Sequence, residues 1–221
     1  MTLCIIPARG NSKRFPRKNI QKLNGLPLIC HVIERCKNAS IFDEIVVSTE
    51  DDEIAEISSQ AGAYVWRRQP NLSLDTSTVV QVCEDVLRHY QNYYFCCVYP
   101  TAVLLTSQTI KKSYEKFKKV KGAEGLMATS SYNYSPLQAL NISNNQWASL
   151  LHTEVDKLQS QSYPRFEVSN GTFYWAIRTN FLEQRTFYLQ KLKTILLDEN
   201  EVIDLDEPSQ FNELVRKFEN K

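Results

Sequence analysis

Much that would classify a chain quickly is missing from these 221 residues. The six cysteines, Cys4, Cys30, Cys36, Cys83, Cys96 and Cys97, form no Cys-x-x-Cys pair, and four of them sit in apolar runs. Buried free thiols in a reducing compartment are expected. No segment approaches the ~20 consecutive apolar residues that span a bilayer. The opening MTLCIIPARG has no basic flank and meets Pro7 and Arg9 too early for a signal peptide. These absences lead to the expectation of a cytoplasmic protein with no membrane partner. Net charge is also nearly absent, since 26 Lys plus Arg stand against 25 Asp plus Glu for a formal +1. That balance excludes a nucleic-acid coat, a polybasic membrane binder and an acidic disordered chain. Any recognition of anions must therefore come from local charge. No internal repeat, linker or low-complexity tract divides the chain. One domain over 1–221 is expected, large enough to bury its own core.

Short apolar runs alternate with amphipathic stretches. Leu3 to Pro7 suits a strand covered on both faces. Pro27 to Asn38 carries Leu28, Ile29, Val32, Ile33 and Cys36 at helical spacing. Strands are expected at Glu44 to Ser48, Ala63 to Trp66, Tyr94 to Val98 and Leu126 to Thr129. Helices are expected over 51–60, around Val79 to Val86 with Asp75 or Thr76 as cap, and over Ser107 to Lys119. The alternation predicts an α/β fold with a doubly wound, mostly parallel sheet.

The pattern breaks over 131–170, where no crossover helix is evident. Leu137 to Ile142 and Gln146 to Leu151 flank Ser143-Asn144-Asn145, which reads as a hairpin turn. An inserted β-rich lobe is expected here. Its large apolar residues fit a subunit interface, and so a homodimer. Strands at Thr172 to Arg178 and Thr194 to Leu197 follow, then Val202 to Asp206 and a last helix opened by Pro208.

The loop after the first strand carries the strongest signal. Arg9, Lys13, Arg14, Arg17 and Lys18 place five cations within ten residues, with no acid among them. Such a loop leaves the carboxyl end of an expected central strand, where open α/β sheets bind ligands. Gly10, Asn11 and Ser12 let backbone N–H groups turn toward an oxyanion. Together they suit a triphosphate. The loop matches neither G-x-G-x-x-G nor G-x-x-x-x-G-K-[ST], which disfavours a dinucleotide-dependent dehydrogenase and a P-loop kinase.

Asp204 and Asp206 lie two residues apart, so an extended backbone points both carboxylates the same way. They form a hard-oxygen pair suited to Mg²⁺, while Asp206 before Glu207-Pro208 also reads as a helix start. Glu50-Asp51-Asp52 is better explained as the negative first turn of the following helix. No dedicated base stands out, because His31, His89 and His152 lie outside every motif.

The run Ile5-Ile-Pro-Ala-Arg-Gly-Asn-Ser-Lys-Arg-Phe-Pro-Arg-Lys-Asn19 closely resembles the opening motif of the acylneuraminate cytidylyltransferases. Gly25-Leu-Pro-Leu28, Phe42 to Thr49, Asp75-Thr76, Ser169-Asn-Gly171 and Ile203-Asp-Leu-Asp206 resemble further blocks in family order. The resemblance implies a Rossmann-like nucleotidyltransferase that couples a nonulosonic acid to CTP, releasing pyrophosphate, with Mg²⁺. It implies catalytic roles for Arg9 and Lys18. It implies nucleotide contacts from Ala8, Arg9, Gly10, Asn11, Ser12, Lys13, Lys18, Asn19, Arg68 and Thr76. Sugar contacts would come from Tyr99, Thr101, Gln161, Asn170 and Gly171, and metal ligation from Asp204 and Asp206.

Tyr99-Pro-Thr-Ala102 and Phe173-Tyr-Trp175 are similar to the branch acting on pseudaminic acid. Asn170-Gly171 and Ala139 fit the sialic-acid branch better, and legionaminic acid relatives stay open. A non-catalytic sugar-nucleotide-binding protein is the alternative of another class; intact Arg9, Lys18, Asp204 and Asp206 argue against it.

Overall fold

A computed structural model describes residues 1–220; Lys221, the last residue of the expected single unit, lies outside them. Eleven strands are formed: β1 (Thr2–Pro7), β2 (Lys22–Leu23), β3 (Leu26–Pro27), β4 (Glu44–Thr49), β5 (Tyr64–Arg67), β6 (Tyr94–Val98), β7 (Gly125–Ser131), β8 (Leu140–Ile142), β9 (Ala148–Leu150), β10 (Glu167–Ile177) and β11 (Leu192–Leu196). The helices are α1 (Leu28–Asn38), α2 (Asp52–Gln60), α3 (Val79–Leu87), α4 (Ser107–Lys119), α5 (Arg178–Gln184) and α6 (Pro208–Glu219). No helix among the described residues is long and apolar enough to cross a membrane.

Seven strands form the main sheet in the order β11-β7-β10-β6-β1-β4-β5. β1 pairs in parallel with β4 and β6, β4 with β5 and β7 with β11, whereas β10 runs antiparallel between β6 and β7. Continuous apolar strands are needed because both faces are covered. On β1, Cys4 and Ile6 enter the core beneath α1, α4 and α6, while Leu3 and Ile5 enter the core beneath α3 and α5. The thiols sit in these layers: Cys4 and Cys36 approach to 3.7 Å, and burial pushes the Cys4, Cys96 and Cys97 pKa values up.

The structure corrects three expectations. Thr78, not Asp75 or Thr76, caps α3, in a reciprocal capping box with Gln81. The expected strand at Thr172 to Arg178 begins earlier, at Glu167, and ends at Ile177; Arg178 opens α5, a helix hidden by its seven-residue length. Val202 to Asp206 runs unpaired into α6.

Over 131–170 the chain forms single 3₁₀ turns and a small β8–β9 hairpin. The turn is closed by Ser143 N–H donating to Trp147 O, and Gln146 takes the left-handed conformation. Leu140, Ile142, Trp147 and Leu151 all stay exposed, Trp147 at 78 %.

β10 carries an irregularity that shapes the site. Its pairing with β7 jumps between Ser169 and Tyr174, and Gly171 sits at φ +67°, a conformation open to glycine without strain. Past the bulge, Trp175 is buried against Phe42 and Tyr114 and donates its indole N–H to Ser113 Oγ at 2.8 Å. Trp175→Ala should cost about 3–5 kcal/mol, read as a lower urea midpoint with unchanged slope.

Candidate nucleotide site

The carboxyl ends of β1, β4, β5 and β6 lie at the same edge of the sheet, and the segments leaving β1, β5 and β6 line a cleft of about 490 Å³. Arg9, Ser12, Lys13, Arg14, Lys18 and Asn19 come from the loop after β1. Tyr99, Pro100 and Thr101 follow β6, Arg68 follows β5, Asp75 and Ser77 precede α3, and Asp206 precedes α6. Nine of the residues expected to contact nucleotide, sugar or metal therefore meet in one cleft: Arg9, Ser12, Lys13, Lys18, Asn19, Arg68, Tyr99, Thr101 and Asp206.

The loop is braced from below by the start of α2. Gly10 N–H donates to Glu50 Oε1 at 2.8 Å. A side chain at Gly10 would place its Cβ 2.8 Å from the Asp51 Cβ, so the close approach requires glycine. Arg17, in the left-handed region at φ 56°, ion-pairs with Asp51 and Glu53. Asp51 also accepts from Ile54 N–H at 2.9 Å as the cap of α2. The helix start expected at Glu50-Asp51-Asp52 is present, and the same carboxylates hold the cationic loop. Spacing alone does not reveal that second use, because the partners lie more than 30 residues away.

The remaining loop cations reach two carboxylates on the rims. Arg9 donates to Asp75 at 2.9 Å, and Lys13 pairs with the same carboxylate at 2.5 Å. Lys18 donates to Leu205 O at 2.6 Å and to Asp206 at 3.2 Å, and Arg14 pairs with Asp206 as well. Burial pushes the Asp206 carboxyl up, but the Lys18 hydrogen bond and the charges of Lys18 and Arg14 outweigh it and hold the pKa below the ordinary range. Lys18 is not a solvated loop cation; its side chain is 17 % exposed and tied to the segment before α6.

Two buried groups face the cleft from its floor. Arg68 donates to Ser48 O at 2.6 Å and lies 3.8 Å from Glu50; burial pulls its pKa down and the Glu50 charge opposes that. Asn19 donates to Arg9 O at 2.9 Å, and its buried Oδ1 accepts from no protein group. That oxygen is free to accept from a ligand. Tyr99 is mostly buried, with its ring 5.9 Å from Tyr174 and its N–H donating to Thr172 O beside the β10 bulge. Desolvation pushes its phenol pKa far up, so it is a neutral hydroxyl at any working pH.

Other expected residues lie elsewhere. Ala8 is fully buried behind the loop, with its N–H donating to Ser48 O, and Asn11 and Thr76 are exposed outside the cleft lining. Gln161 is exposed in the 131–170 segment. Asn170 donates to Ser130 Oγ at 3.1 Å and accepts from Thr172 N–H at 3.2 Å, so with Gly171 it shapes the bulge beside Tyr99. Asp204 is exposed and flanks buried Leu205, with Asp206 on the other side. Among the described residues no group of three or more His, Cys, Asp or Glu is placed to hold a metal ion. His31 bonds to Leu23 O and His89 packs on Trp66, away from the cleft.

With this geometry in place, comparisons give a consistent picture. A protein-family model described as cytidylyltransferase matches residues 3–214. A pseudaminic acid cytidylyltransferase of Campylobacter jejuni is 36 % identical over 210 residues, covering 92 % of this chain and 90 % of that protein. A CMP-N,N'-diacetyllegionaminic acid synthase of Legionella pneumophila is 33 % identical over 216 residues, covering 93 % and 91 %. Among solved structures, a CMP:2-keto-3-deoxy-manno-octonic acid synthetase complexed with CTP superimposes with a TM-score of 0.76 at 15 % identity, covering 99 % of this chain and 98 % of that one. At that identity the likeness speaks for the fold alone.

The brace beneath the loop makes a pH-dependent contribution. The Asp51 pKa is lowered from 3.8: burial raises it, but the Ile54 N–H and Arg17 outweigh burial. Its stabilisation is full above the unfolded carboxylate value and is lost as pH falls through the depressed folded value. Asp51→Ala should cost about 1–2 kcal/mol near neutrality. Urea titrations should show that gap closing below about pH 4.

Proposed function

We infer the reaction from one premise: this chain belongs to the cytidylyltransferase family. It is a CTP-dependent nucleotidyltransferase that joins CMP to a nonulosonic acid and releases pyrophosphate. We propose pseudaminic acid as the sugar. Tyr99-Pro-Thr-Ala102 supports this reading, as does the resemblance to the Campylobacter jejuni relative. The observation that carries the function is the meeting of Arg9, Lys13, Lys18 and Arg68 with Tyr99 and Thr101 in one cleft at the carboxyl ends of parallel strands.

The anomeric hydroxyl oxygen attacks the α-phosphorus of CTP. One P–O bond forms, the bond to the bridging oxygen of the β-phosphate breaks, and the hydroxyl proton passes to solvent water. Charge moves onto the departing pyrophosphate. Arg9, Lys13 and Lys18 line the same cleft and would stabilise such charge. Asn19 Oδ1 would accept from the nucleotide, whereas the Gly10 N–H, expected to turn toward an oxyanion, is taken by Glu50 Oε1. On the sugar side the neutral Tyr99 hydroxyl and ring offer one hydrogen bond and an apolar wall.

Asp206 and Asp204 fit a Mg²⁺ that takes most of its ligands from phosphate and water, since magnesium is held through one or two carboxylates. The metal would polarise phosphate oxygens. Asp206 reaches the cleft directly. Asp204 is exposed outside the cleft lining, so Asp206 would be the nearer ligand.

The exposed apolar groups of β8, β9 and their turn need cover. We propose that they meet a second copy, giving a homodimer. Light scattering should give twice the chain mass at micromolar concentration, and Trp147→Glu should shift the protein toward monomer. A wild-type monomer would reject the dimer.

The function is tested by pyrophosphate release from CTP with a panel of nonulosonic acids. The wild type should prefer pseudaminic acid. Arg9→Ala should lose at least 100-fold in kcat/KM, on the order of 3 kcal/mol of transition-state stabilisation, while keeping its melting temperature. Tyr99→Gln should lower activity on pseudaminic acid more than on N-acetylneuraminic acid, with the CTP Michaelis constant little changed, because a site built around one hydrogen bond rejects analogues lacking it. A wild type that prefers N-acetylneuraminic acid would overturn the sugar assignment.

A further inference from the structure

The loop after β1 is fully ion-paired, yet its four carboxylate partners, Asp51, Glu53, Asp75 and Asp206, are not equivalent. Asp51, which holds Arg17, also caps α2. Asp206, which holds Lys18 and Arg14, lies beside the Leu205 carbonyl that shares Lys18 and is bonded through its own N–H to Gln210. Asp75 is different. Its carboxylate pairs with Arg9 and Lys13, and it has no other hydrogen-bond or ion-pair partner among the described residues. It does not cap α3, because Thr78 does. The turn that carries it is held by neighbours instead: Ser77 N–H donates to Leu74 O, and Ser77 Oγ donates to Asn71 O. Asp75 thus does no structural work that its turn needs, and it lines the cleft with 43 % of its side chain exposed.

We propose that Asp75 is a positioning residue that acts as the exchangeable counter-ion of Arg9 and Lys13, competing with the pyrophosphate product for both. The inference rests on the cytidylyltransferase reading of the same cleft. A multiply charged oligophosphate bound by Arg9 and Lys13 must displace the Asp75 carboxylate from both. When pyrophosphate leaves, Asp75 returns and neutralises the same two cations. The carboxylate thereby weakens product binding at one particular place, the end of the cleft occupied by the leaving group. An exposed ion pair is individually weak, which suits a contact that must break and reform every cycle. The Lys13 ammonium, with Arg9, holds the Asp75 carboxyl below the usual range, so the counter-ion is charged throughout the working pH range.

Calorimetric titration of sodium pyrophosphate, and separately of CMP, into the full chain and its variants tests this directly. Asp75→Asn keeps the size and a hydrogen-bond acceptor but removes the competing charge. Pyrophosphate should bind it about five- to tenfold more tightly at low salt. CMP, which has no β- or γ-phosphate, should bind unchanged. Asp75→Glu should restore the wild-type pyrophosphate constant. The gain should shrink as salt screens the pairs, and pyrophosphate should become a correspondingly stronger product inhibitor. Unchanged or weaker pyrophosphate binding in Asp75→Asn would overturn the proposal, as would an equal shift for CMP, which would mark a general loosening of the loop. Pyrophosphate binding to neither protein would remove the loop as an oligophosphate site and the inference with it. Failure of the wild type to turn over CTP with any acid would instead reject the reaction, since these titrations need no turnover.

Discussion

Cation density on a short loop is the constraint around which this molecule is arranged. Arg9, Lys13, Arg14, Arg17 and Lys18 repel one another, and a loop of that charge has no reason to hold one shape by itself. It is held because carboxylates from three other places in the chain converge on it. Glu50, Asp51 and Glu53 come from the β4–α2 junction, Asp75 from the turn before α3, and Asp206 from the segment before α6. The parallel sheet makes this convergence possible, because it delivers all of these junctions to the same edge.

The pairs differ in how firmly they are made. Asp51 is 18 % exposed and doubly used, whereas Asp75 is more open and singly used. The loop thus has fixed points at Gly10, Arg17 and Lys18 and labile contacts at Arg9 and Lys13. A catalytic phosphate site needs such a division: rigidity where geometry is set, and replaceable partners where the ligand's charge must be accepted and then released.

The sequence made the sheet legible wherever local pattern was strong. β1, α1, α4 and α6 lie close to their expected bounds because apolar spacing, Pro27 and Pro208 mark them without help from distant residues. α5 was missed because seven residues give too few turns for a period to register. β10 looked shorter than it is because the Asn170-Gly171 bulge interrupts its alternation, and the bulge is defined by pairing with Ser130, far away in sequence. The cleft was largely legible through the basic run and the motif order. What the run could not reveal was its neutralisation. Asp51 read as a helix start, Asp75 as a cap and Asp206 as a metal ligand or helix start, since each lies 34 or more residues from its cation.

Asp206 shows why these pairings matter to the chemistry beyond holding a shape. The carboxylate that fits a magnesium ion already carries Lys18 and Arg14. A metal arriving alone would have to compete with two fixed cations for one carboxylate, an unfavourable exchange of like charges. With triphosphate bound, its oxygens would compete for Lys18 and Arg14 and would leave the Asp206 carboxylate available to hold a cation. The same competition would free Arg9 and Lys13 from Asp75. Loading of nucleotide and metal would then be coupled through displaced ion pairs, with no domain motion required. The low net charge of the chain belongs to this arrangement: each positive group that phosphate will need is kept in place, beforehand, by a negative group that phosphate can displace.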